Sequence, residues 1–106
     1  MTELTFKAKV QDAEDELAHT SYSDIQKETA YKWAARAAAS YRNVLTAPDK
    51  TAKLTTYILS QEYEHEAIEH AALVPLRPED VVSSIQSLLS EYQIAAWSEI
   101  EMALGL

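Results

Sequence analysis

Leu54-Thr55-Thr56-Tyr57-Ile58-Leu59-Ser60-Gln61-Glu62-Tyr63-Glu64-His65-Glu66-Ala67-Ile68-Glu69-His70-Ala71-Ala72 is the stretch on which the fold of this chain turns. Leu54, Ile58, Gln61, His65, Ile68 and Ala72 recur at intervals of four, three, four, three and four, which predicts one face of a helix. An amide and an imidazole interrupt that apolar face, and polar groups on a buried stripe need partners.

Outward from this stretch, the patterns break only at Pro48, Pro75 and Pro78, and the single glycine, Gly105, stands next to the end. Hairpins and phosphate-cradling loops usually need glycine at positive φ, so a sheet fits poorly and P-loop and dinucleotide-fingerprint readings are excluded. A chain of 106 residues makes one domain, residues 1–106, and buries roughly two-thirds of its unfolded surface. Without cysteine there is no disulfide framework, thiolate metal site or cysteine nucleophile. No apolar run approaches a membrane span, and Met1-Thr2-Glu3-Leu4-Thr5-Phe6-Lys7 lacks the pattern of a signal peptide, so a soluble, cytoplasmic protein is expected. A net charge of −8 argues against direct nucleic-acid binding and favours a basic partner surface.

Four helical segments are predicted. In the first, residues 3–18, Phe6, Val10, Ala13 and Leu17 form a stripe, although Leu4, Phe6, Ala8 and Val10 also alternate as in a strand. His19 to Tyr22 reads as a turn, with Ser23 and Gln26 as a capping box. The second, residues 24–45, gathers Ala30, Trp33, Ala34, Ala37, Ala38, Tyr41, Val44 and Leu45 on one face, with Lys32, Arg36, Ser40 and Asn43 opposite. Pro48 is expected in the first turn of the third, residues 49–73. Pro78, Glu79 and Asp80 open the fourth, residues 79–103, which keeps step through Val82, Ile85, Leu89, Tyr92, Ala96, Ile100 and Ala103 and stops at Gly105.

Short connections make such helices antiparallel neighbours, so the expected fold is all-α: an up-and-down four-helix bundle. A three-helix core with a mobile N-terminal arm, or a bundle completed by dimerisation, would use the same pattern. The second segment is net positive and the others net negative. Cross-helix pairs of Lys27, Lys32, Arg36 and Arg42 with Glu14, Glu16, Glu64 or Glu66 are therefore expected.

Two chemistries compete for the function. Glu62 with His65, and Glu16 with His19, are Glu-x-x-His spacings, and Glu28 and Glu91 complete on paper the ligand inventory of a di-metal carboxylate bundle. Locally, Gln61-Glu62-Tyr63-Glu64-His65 together with Glu28 resembles the metal-binding helices of the ferritin-like superfamily, rubrerythrin in particular. That resemblance implies Glu28, Glu62 and His65 as iron ligands and an oxidase or iron-handling role. The order departs from the superfamily's, since a Glu-x-x-His comes first and the last helix lacks one. Projected at about 100° per residue, Glu91 falls opposite the Val82, Leu89, Ile100 stripe and Glu28 lies off the alanine face. His65 is also explained by a bond to Gln61, Glu62 or Glu69, and His70 by an ion pair with Glu66.

The other chemistry is interaction. Six tyrosines and two tryptophans exceed what a slender core easily encloses. Ile94 and Trp97 flank the fourth segment and Leu59 and Tyr63 the third, as a second apolar edge on each. Aromatic anchors with an acidic rim are typical of binding patches. With no serine elbow, and with Glu99 and Glu101 on different sides of their helix, the sequence points away from an enzyme and requires no cofactor. The leading expectation is protein–protein binding, as a regulator, inhibitor, immunity-type or phage accessory factor, or adaptor. A homo-oligomer would use the same surfaces.

Overall fold

The computed structural model describes residues 25–106, which form three packed α-helices and no strand: α1 (Ile25–Thr46), α2 (Lys50–Ala72) and α3 (Pro78–Leu104). The helix expected over residues 3–18, the following turn and the Ser23 cap lie outside the described residues.

The start of α2 and both ends of α3 have local causes. Asp49, with extended backbone (φ −146°, ψ 173°), accepts the Ala52 N–H on Oδ1 at 2.8 Å and so starts α2. Pro48 therefore precedes the cap instead of occupying the first turn, because a carboxylate that satisfies a free N–H makes the better start. Pro78 does stand at the start of α3, preceded by Arg77 in the left-handed region (φ 54°), whose Nε lies 2.6 Å from Asp80 Oδ2. At the far end Gly105 takes φ 76°, its N–H donates to the Met102 carbonyl (3.3 Å), and the Leu106 N–H donates to that of Glu101 (2.9 Å). This pair of bonds is a Schellman closure, which needs a residue that tolerates positive φ.

The chain runs up, down and up. Gln26 meets His70, Tyr41 meets Tyr57 and Glu64, and Lys53 meets Val44, an order that descends along α2 as α1 ascends. Lys53 meets Glu99 and Tyr57 meets Trp97, which reverses direction again for α3. The most extensive interface joins α1 to α2.

The core departs from the expected one in an informative way. The face of α2 that is turned inward carries Tyr57, Ser60, Ala67 and Ala71; of the expected Leu54, Ile58, Gln61, His65, Ile68, Ala72 stripe, Leu54 packs at the edge of the core, Ile68 is half-buried, and none is buried. Ile58 is 57% exposed, and Gln61, His65 and Ala72 are exposed too. The reason lies in α1, whose buried Ala30, Ala34, Ala37 and Ala38 let a neighbouring backbone approach closely. A close-packed neighbour must itself be small, which Ser60, Ala67 and Ala71 are and Ile58 and Ile68 are not.

Ser40, expected on the solvent side, belongs to this seam: the Ser60 hydroxyl donates to Ser40 Oγ (2.7 Å) or to the Thr56 carbonyl (2.7 Å), and Ser40 lies 3.4 Å from the same carbonyl. Leu45, expected inside, is exposed. Space left by the alanines is filled by rings, since Tyr31, Tyr41, Tyr57 and Tyr92 are all buried, four of the six tyrosines in the chain. The α3 stripe matches expectation more closely, with Val81, Ile85, Leu88, Leu89, Tyr92, Ala96 and Ile100 buried.

Candidate functional site

Inverting the α2 stripe leaves its large apolar side chains at the surface, and α3 supplies others beside them. Leu54, Tyr57, Ile58 and Gln61 of α2 and Gln93, Ile94 and Trp97 of α3 line an open groove of about 550 Å³. Its walls are wet: Ile58 is 57%, Ile94 65% and Trp97 42% exposed.

Trp97 is held from beneath. Its ring lies 5.5 Å from that of Tyr57, which meets the ring of Tyr41 edge-on at 5.7 Å, so an aromatic ladder crosses all three helices from core to groove. At its inner end the Tyr41 hydroxyl donates to Glu64 Oε1 (3.0 Å). Burial pushes the Tyr41 phenol far above its ordinary range, and the negative charge of Glu64 and their hydrogen bond add to that. Tyr41 is thus a fixed, neutral donor. The ladder holds the indole in place, so a partner meeting it has little side-chain order to create.

The other two expected interface residues lie elsewhere on α2. Tyr63 packs on Trp33 of α1 with ring centres 5.8 Å apart, and Arg36 covers the same indole at 4.7 Å. Leu59, one turn before Tyr63, is exposed on that flank. The four residues therefore do not make one patch. Ile94 and Trp97 join Leu54 and Ile58, while Tyr63 is occupied within the fold. Sequence reasoning missed Ile58 as a groove wall because it spent it on the core, whereas Leu54, half-buried, both packs against the core and lines the groove. The signal was the second, small-residue stripe of Ser60, Ala67 and Ala71 matching the alanines of α1.

The expected metal ligands can also be placed. His65 Nε2 lies 2.9 Å from Glu69 Oε1, with both side chains mostly exposed. Glu28 pairs with Lys32 at 2.8 Å along α1, and Glu62 and Glu91 are exposed. Glu16 and His19 lie outside the described residues, among which no three His, Asp or Glu side chains are grouped to hold an ion. His70 has Gln26 Oε1 at 2.8 Å on Nδ1, and Glu66 at 3.9 Å on Nε2. Of the carboxylates expected to pair with the α1 cations across helices, Glu14 and Glu16 lie outside the described residues. Lys32 pairs within α1, Arg36 lies on Trp33, and Glu64 receives Tyr41.

Lys53 makes a cross-helix ion pair, its ammonium lying 3.1 Å from Glu99 and donating to the carbonyls of Val44 (3.0 Å) and Leu45 (3.4 Å). Among the described residues no helix is long and apolar enough to cross a membrane.

No family model, curated protein or solved structure matches this chain.

Proposed function

We propose that this protein works by binding another protein, and that its contact surface is the α2/α3 groove walled by Leu54, Ile58, Ile94 and Trp97. A regulator, inhibitor, immunity-type or phage accessory factor, or adaptor would all act in this way. The supporting observation is one of unspent burial: large apolar side chains on two adjacent helices stand in solvent around a braced tryptophan. Fully covering such a side chain is worth about 1.5–3 kcal/mol, and well-packed tryptophans are frequent anchors of binding energy. The acid surplus of the chain favours a basic counterpart.

The test uses two surface variants and one control, all in the full chain. Ile94→Asp and Trp97→Ala are expected to weaken partner capture at least tenfold, while Ala39→Asp, on the exposed side of α1, leaves it unchanged. Since Trp97 also touches Tyr57, thermal unfolding of each variant is measured alongside. Undiminished capture by a folded Ile94→Asp chain would contradict the proposal.

A further inference from the structure

Charge around the groove narrows the kind of partner, on the reading that the groove is the contact surface. Helix α1 carries Lys27, Lys32, Arg36 and Arg42 against the single carboxylate Glu28. The helices that form the groove reverse this balance, with nine carboxylates and two lysines in α2 and α3. Of those lysines, Lys53 is engaged by Glu99 and the end of α1, and Lys50 lies one turn before Leu54.

The groove lining itself carries no charge; the nearest carboxylates along each helix are one turn on, Glu62 after Ile58, in the lining of a neighbouring cavity, and Glu101 after Trp97. Because α2 and α3 run oppositely and Tyr57 stands level with Trp97, the two carboxylates sit toward opposite ends of the groove. Their separation is about 14 Å along the axis, or nine residues of helix. Beyond Glu62, the same end carries Glu66 and Glu69, whereas Lys50 is near the Glu101 end.

We infer that the groove takes an amphipathic helix of a partner protein, one whose apolar stripe is flanked by lysine or arginine, with its most basic end at Glu62. Two antiparallel helices leave between them a channel that a third helix fills with residues at i, i+3, i+4 and i+7. Gln61 and Gln93 on the groove lining supply donors and acceptors for a polar flank. Charge selects this occupant over the two nearest rivals. A second copy of the chain brings a net charge of −8, and the chain's own residues 1–24 carry six carboxylates and two lysines. Both would set like charge against the Glu62 end.

The experiment uses the full chain with Trp33→Phe, so that Trp97 is the only indole, and four synthetic 18-residue peptides. One has a leucine stripe flanked by lysine, one the same stripe flanked by glutamate, one flanked by glutamine, and the fourth has the lysine peptide's composition without a stripe. Titrations follow Trp97 fluorescence, and sedimentation equilibrium of the free chain reports self-association.

The lysine-flanked peptide is expected to bind at least tenfold more tightly than the glutamine- or glutamate-flanked ones, and the scrambled peptide not to saturate. Ile94→Asp abolishes this binding, and Glu62→Lys narrows the gap between the lysine and glutamate peptides. Equal binding of the three striped peptides would overturn the choice of a basic partner and leave the groove standing. Equal binding of the scrambled peptide would reduce the effect to unspecific charge. No binding by any peptide, or a dimer dispersed by Ile94→Asp, would overturn the inference; the dimer alone would keep the groove as an interface.

Discussion

Lys53 belongs to the first turns of α2, yet its ammonium serves the other two helices. It satisfies carbonyls at the end of α1, whose last turn has no cation of its own, and meets Glu99 of α3 at 3.1 Å. Nothing in the spacing of lysines and carboxylates marks it out, because the contact depends on how the α1–α2 connection folds back. Lys53→Met is expected to lower unfolding stability by about 1–3 kcal/mol in urea titration, more than Glu99→Gln, since the methionine leaves both the carbonyls and the carboxylate without their donor.

Tyr41 is a second such residue, with pH as its readout. Its phenol pKa is raised by folding above the ordinary 10.0, so the folded state holds the proton where the unfolded chain releases it. The contribution is fully present below about pH 10 and is lost as pH rises above that, with a slope of up to about 1.4 kcal/mol per pH unit. Tyr41→Phe is expected to remove this part of the alkaline slope; identical slopes from pH 10 to 12 would contradict the account of Tyr41 and Glu64.

At the scale of elements, the existence of α1, α2 and α3 was legible from periodicity, from Pro78 and from Gly105. The inward face of α2 was not. Two stripes compete on that helix, and hydrophobicity favours the wrong one, since Leu54, Ile58 and Ile68 outweigh Ser60, Ala67 and Ala71 on any transfer scale. What decides is the partner: a helix faced with alanine accepts small residues and tyrosine rings at close range, a fact about α1 that no window on α2 contains.

The two stripes give opposite expectations. Ser60→Leu, at a fully buried position, should destabilise by about 1–3 kcal/mol through overpacking. Ile58→Ser should fall within about 0.5 kcal/mol of the parent. Calorimetric melting of both variants separates them, and a costly Ile58→Ser would restore the original stripe. Asp49→Ala, removing the oxygen that caps Ala52, is expected to cost about 1 kcal/mol.

For the molecule as a whole, the sequence announced an all-helical, acidic protein with more aromatic residues than a thin core needs. It named Ile94 and Trp97 from their place off the α3 stripe. It could not join them to Leu54 and Ile58, because that juxtaposition exists only once α2 has turned its small residues inward. The same turn leaves His65 at the surface, 2.9 Å from Glu69.

The central proposal is that a partner is met at this groove. Backbone NMR of the full chain titrated with the lysine-flanked peptide tests it most directly. Shift changes should concentrate at Leu54, Ile58, Gln61, Glu62, Gln93, Ile94 and Trp97, with the α1 face around Lys32 and Arg36 undisturbed. Changes centred on Trp33 and Tyr63, or spread over all three helices without a focus, would contradict it.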